Sequence, residues 1–174
     1  MPKLATVGVV QADSGLSLPD YSSEERTFHL LTQVIGRIGR GHTDKANAII
    51  QTFKPDSPVI TFATNSDYIG FYNYIIKKRQ KSHLPPFYHL AKISVVYKTE
   101  KTTLNKIKLI HKALRDIDGL YLSAPTPAFH EHTNTGYTWQ IILKAANRQT
   151  ILKAIKTLDQ ENIRFYLDPP TLLS

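Results

Sequence analysis

The chain has 174 residues, enough for one ordinary domain or two small ones, and its 41% hydrophobic and 21% charged residues are those of an ordinary soluble globular protein. A formal charge of +8 and a pI of about 9.6 favour polyanion partners such as nucleic acid, nucleotide or acidic peptide. The absence of cysteine excludes disulfides and cysteine zinc sites, and no stretch approaches the length of a membrane span. Met1-Pro2-Lys3-Leu4 leads into only a short apolar run, so no signal peptide is read, and the composition fits a reducing cytoplasm.

Ala5 to Val10 is β-branched and nearly all apolar, which predicts a buried strand. Gln11 to Gly15 follow as a turn, with Asp13 at the strand's carboxyl end, where ligands bind in open α/β sheets. Leu16 to Ser23 read as a loop. Ser22 or Ser23 can cap the next helix, with Glu24 and Glu25 in its first turn. In that helix Phe28, Leu31, Ile35 and Ile38 form an apolar seam. Gln33, Arg37 and Arg40, spaced by four and three, place an amide and two guanidiniums on another face. Gly36 and Gly39 cost a helix about 1 kcal/mol each, which predicts that the helix opens there and lets the arginines approach a ligand. Always charged and fork-shaped, guanidiniums suit polyphosphate and can stabilise the charge of phosphoryl transfer. Ala46 to Phe53 read as a second strand, which makes strand, helix and strand one crossover of a parallel sheet. Residues 1–53 alone cannot bury both faces of such a sheet.

The octet Gln33 to Arg40, Q-x-x-G-R-x-G-R, resembles motif VI of superfamily-two helicases. The fuller string EERTFHLLTQVIGRIGRG is similar to the form in the primosomal protein N′ family of bacterial replication-restart DNA helicases. The resemblance implies that residues 1–53 are the end of a second RecA-like lobe. It makes Arg37 and Arg40 catalytic, with Gln33, Gly36 and Asp13 on the nucleotide side. The family's first strand-end acid is Gln11 here, while Asp13 matches the second. ATP and magnesium are implied for the longer helicase and not for this chain alone, because G-x-x-x-x-G-K-[ST] and an Asp-Glu-x-His box are both missing. The family also carries zinc, whose cysteine ligands are missing here. The expectation is a carboxyl-terminal part of a longer protein, with motif V and the phosphate-binding lobe upstream.

Residues 54–87 read as a helical connector. Lys54 to Ser57 with Pro58 is a turn, and Val59 to Ala63 is a short helix or an extended piece. Ser66-Asp67 caps a helix through about Gln80, with Tyr68, Phe71 and Ile75 on its inner face. Lys77, Lys78 and Arg79 near its end either complement the helix dipole or contact a DNA backbone. Leu84-Pro85-Pro86-Phe87 stops it, and a proline pair here is also familiar from the helicase family.

Residues 88–174 read as strand, helix, strand, strand, helix, strand: the ferredoxin-like β-α-β-β-α-β arrangement. The strands are 89–98, 120–122, 137–143 and 163–167. The helices are 104–114 and about 149–159, the second capped by Asn147. The whole is therefore α/β followed by α+β. Pro125 to Gly136 reads as an exposed hairpin loop. Its His130-Glu131-His132 falls short of the three or four converging ligands of a zinc site, so no metal is assigned. Tyr137 and Trp139 share a sheet face and either stack on bases or pack in the core. APTPA, YTWQIIL and LDPP also resemble the family's last domain. By that resemblance Arg148 binds the acidic tail of single-stranded-DNA-binding protein, a role that suits a guanidinium. The partners implied are forked or single-stranded DNA, single-stranded-DNA-binding protein, other primosome proteins and the upstream lobes, with no membrane. A chain that acts alone as a non-enzymatic nucleic-acid- or protein-binding module is the alternative.

Overall fold

The computed structural model describes residues 6–37, 47–134, 136–159 and 161–173, without the side chains of 130–133. They form a mixed α/β structure in two compact units, residues 1–77 and 78–174.

In the first unit β1 (Thr6–Val9) pairs in parallel with β2 (Asn47–Ile50), Thr6 opposite Asn47 and Val9 opposite Ile50, with α1 (Ser23–Ile35) between them in sequence. The expected burial of the first strand does not hold. Thr6 and Gly8 are exposed, Val7 and Val9 half-buried, and Asn47, Ala48 and Ile49 exposed. Two strands leave most of a sheet's surface uncovered, and Phe53 just beyond them is 76% exposed. The expected cap also differs. Ser22 stands at the N-cap of α1, but its hydroxyl donates to Asp20 Oδ2 at 3.2 Å, and Arg26 pairs with the same carboxylate at 3.3 Å.

The segment after β2 is not a bare connector. α2 (Pro58–Thr64) begins with proline at its first turn, where a missing N–H costs nothing. α3 (Tyr68–Lys81) is started by Asp67, whose Oδ1 accepts from Gly70 N at 2.8 Å. Val59, Ile60 and Ala63 of α2 and Phe71 and Ile75 of α3 bury themselves with Phe28 and Leu31 of α1. The rings of Phe28 and Phe71 stack with centroids 3.9 Å apart and planes 1° from parallel. Tyr68, expected on the inner face, is exposed.

The second unit has β3 (His89–Tyr97), α4 (Glu100–Leu114), β4 (Tyr121–Leu122), β5 (Thr126–Thr133), β6 (Gly136–Ala145), α5 (Arg148–Lys156) and β7 (Ile163–Leu167). The sheet runs β4-β6-β3-β7, antiparallel throughout, and β5 pairs with the rest of the β6 edge. Alternation sorts the faces. Ala91, Ile93 and Val95 meet Ile141 and Leu143 and, above them, Ile107, Ile110 and Leu114 of α4 and Ile151 and Ala154 of α5. Asn147 Oδ1 accepts from Gln149 N at 2.9 Å, the cap read from the sequence. The stretch read as a loop is instead β5. Its register slips between Pro127 and His132, because proline cannot donate to the ladder.

Candidate functional site

Three groups of residues carry the chemistry read from the sequence. The first lies at the end of α1. The helix stops at Ile35, and Gly36 is its C-cap at φ −67°, ψ −7°, an ordinary right-handed turn in which a Cβ would crowd the Thr32 carbonyl oxygen at 3.0 Å. Gly36 N donates to Thr32 O at 2.8 Å and Arg37 N to Val34 O at 3.2 Å. Gln33 and Arg37 are both exposed, and among the described residues neither side chain has a partner. Arg37 stands just past the helix, so its guanidinium does not share a helical face with the Gln33 amide as the spacing suggested. Ile38, Gly39 and Arg40 lie outside the described residues.

Asp13 stands at the carboxyl end of β1 and is only 8% exposed. Its Oδ1 accepts from Thr52 Oγ1 at 2.8 Å and from Phe53 N at 2.9 Å. The Thr52 bond, then the Phe53 bond, hold its carboxyl below the ordinary 3.8, against the opposing effect of burial. Asp13 therefore ties the segment after β1 to the segment after β2. Thr52 and Phe53 were not singled out from sequence, because a contact about forty residues long leaves no local signal.

The second group is the basic end of α3. Lys77 and Lys78 are exposed. Arg79 is half-buried and donates from Nη1 to Pro85 O at 2.6 Å, so it braces the turn that stops the helix instead of standing free on the surface.

The third group lies on the sheet of the second unit. Trp139 is half-buried and packs against the core beneath the helices, its Nε1 buried without a hydrogen-bond partner among the described residues, and Tyr137 is half-buried on the same face. Arg148 opens α5, and its Nη2 pairs with Asp168 Oδ2 at 3.2 Å. Asp168, at φ 45°, also approaches His89 Nδ1 at 3.8 Å and accepts from Leu90 N at 3.4 Å. It thereby fastens the end of β7 to β3. Among the described residues no group of His, Cys, Asp and Glu could hold a metal, and no helix is long and apolar enough to cross a membrane.

The opposite face of that sheet was not read from the sequence. It carries Lys92, which is 1% exposed, with its Nζ 4.5 Å from the ring centroid of Tyr166 and no carboxylate partner among the described residues. Burial lowers its pKa from the ordinary 10.5. Between the lowered value and 10.5 the unfolded chain holds more protons than the folded one, so stability rises with pH across that window. The contact with Tyr166 returns about 1–2 kcal/mol of the desolvation cost. Lys92→Met keeps the stem and removes the charge. It is expected to raise stability by ~1 kcal/mol at neutral pH and to flatten the rise toward alkaline pH, measured by urea unfolding. A loss of stability in Lys92→Met would show that the ammonium has a stabilising role in the fold.

Comparison with known proteins assigns the chain. The family described as primosomal protein N C-terminal domain matches residues 80–170, just over half of it. The chain belongs to the primosomal protein N C-terminal domain family. Replication restart protein PriA of Thermotoga maritima is 31% identical over 99% of this chain and 23% of its own length. Those of Chlamydia pneumoniae and Bacillus subtilis are 34% and 39% identical, over 79% and 63% of this chain and 19% and 14% of their own lengths. The chain thus spans about a fifth of the curated relatives it matches. The family match falls wholly within the second unit, from the last residues of α3 to just past β7, so it includes Arg148, Asp168 and both faces of the sheet.

Proposed function

We propose that the chain is the carboxyl-terminal part of an ATP-dependent DNA helicase acting in replication restart and primosome assembly. The observation that carries this reading is likeness to a replication restart protein across 99% of the chain, octet included. On this reading residues 1–53 end a RecA-like lobe, and Gln33, Arg37 and Arg40 address the γ-phosphate of an ATP held, with its magnesium, by upstream lobes. The parallel pairing of β1 and β2 around α1 supports it. Residues 54–87 join this lobe to a ferredoxin-like domain, 88–174, which the sheet order β4-β6-β3-β7 supports. That domain binds DNA and the acidic tail of single-stranded-DNA-binding protein, whose carboxylates compete with Asp168 for Arg148. Lys77 and Lys78 contact DNA phosphates. The lack of a phosphate loop in the sequence favours a second reading, a binding module that acts without enzymatic activity.

Binding of the purified chain to a labelled DNA fork, followed over a salt series, tests the DNA part of this reading. Two neutralised phosphates correspond to an affinity loss of about tenfold between about 50 and about 200 mM salt. Replacing Lys77 and Lys78 together by alanine is expected to flatten that dependence. No binding at the lowest salt contradicts a DNA-contacting surface on this chain.

A further inference from the structure

The face of the β6-β3-β7 sheet that turns away from α4 and α5 carries a groove of about 140 Å³, lined by Ser94, Thr138, Gln140, Arg164, Tyr166 and, from the segment after β7, Leu173. Strand register aligns its polar groups. Gln140 and Arg164 both stand opposite Ser94, and Thr126 stands opposite Gln140, so one polar row crosses four strands. The next row places Ile142, Lys92 and Tyr166 side by side.

Two of these residues are buried, yet their polar ends still reach the groove and have no polar partner: the sealed, unpartnered side-chain atoms among the described residues are Arg79 Nε and Trp139 Nε1. Ser94 is 5% exposed and Lys92 1%, and among the described residues neither side chain makes a hydrogen bond or ion pair. The side chains of Thr138, Gln140 and Arg164 likewise have no partner among the described residues, and the lining contains no carboxylate. Tyr166 is 38% exposed, with the Lys92 ammonium against its ring. A sheet face meant only for solvent would not bury a lysine and a serine. One meant for packing would not keep an amide, two hydroxyls and a guanidinium in a row.

We propose that this groove binds single-stranded nucleic acid, with a base stacked on Tyr166, a phosphate on Arg164, and Gln140, Ser94 and Thr138 meeting the base edge. An aromatic plate beside a cation is the usual platform for an unpaired strand, and the chain's charge of +8 favours a polyanion. An acidic peptide would use Arg164 but leave the plate and the polar row idle. The inference rests on the reading of this domain as DNA-binding, and it names a surface separate from Lys77, Lys78 and Arg148.

The test is fluorescence anisotropy of a labelled oligo-dT strand and, in parallel, a blunt duplex, with the full chain. Tyr166→Ala and Arg164→Ala are each expected to weaken oligo-dT binding by about tenfold, with the duplex unaffected. Tyr166→Phe keeps the plate and is expected to bind as the parent does. Arg164 is exposed, so Arg164→Ala gives an answer even if Tyr166→Ala fails to fold. Oligo-dT binding unchanged in both alanine variants, or equal weakening for the duplex, overturns the proposal. So does Arg164-dependent binding of an acidic peptide alongside unchanged oligo-dT binding. Duplex binding without oligo-dT binding sinks the groove alone, whereas loss of both ligands sinks the DNA-binding reading with it.

Discussion

Phe71→Ala is expected to destabilise the first unit by about 3–5 kcal/mol. Phe71 and Phe28 are 3% and 2% exposed, and their stacked rings join α3 to α1. Phe62 meets the edge of the Phe71 ring at 6.4 Å, so truncation strips contacts from α2 as well. Among the described residues the buried core of this unit is small: Ala12, Phe28, Leu31, Val59, Ile60, Ala63, Phe71 and Ile75. A domain's net stability is only about 5–15 kcal/mol, so one lost ring takes a large share of it. Urea unfolding followed by far-UV circular dichroism reads the loss of α1, α2 and α3. Trp139, the only tryptophan, reports on the second unit. The variant is expected to lose helical signal well before tryptophan fluorescence changes. A destabilisation under about 1 kcal/mol would contradict the α1–α3 pairing as the centre of this unit.

What the sequence revealed was local or periodic. The cap at Asn147 and the stop of α1 at Gly36 each depend on a few neighbouring residues. β3, β6 and β7 follow from two-residue alternation, which writes one face of the sheet into the chain. What was not legible depends on distant partners. Arg79, Arg148 and Asp13 all read as free functional groups. In the fold Pro85 O, Asp168 and the Thr52–Phe53 pair engage them. β5 was hidden because Pro125, Pro127 and a polar run carry loop signals, and its pairing with β6 is imposed from across the hairpin. Lys92 and Ser94 leave little signal of their own, because they alternate with Ala91, Ile93 and Val95 in a strand whose pattern is dominated by that apolar inner face. α2 and α3, read as a connector, supply Val59, Ile60, Ala63, Phe71 and Ile75, most of the buried core around α1 among the described residues.

The proposed nucleotide role of the octet turns on Arg37. It is exposed and unpartnered among the described residues, so Arg37→Ala removes a guanidinium without disturbing the packing. That separates a loss of chemistry from a loss of fold. Arg37→Lys is a stricter variant, because it keeps the charge and loses the planar fork that holds two phosphate oxygens at once. The chain by itself, without a phosphate loop, is expected to turn over no ATP. The decisive setting is the Thermotoga maritima relative, which matches 99% of this chain with 23% of its own length. The measurement is DNA-stimulated ATP turnover by that relative with this chain in place of its matching segment. Turnover is expected, with Arg37→Ala and Arg40→Ala each lowering it on the order of 10³-fold while the circular dichroism spectrum stays the same. Turnover that either arginine variant leaves unchanged would contradict the helicase reading and leave the chain as a binding module.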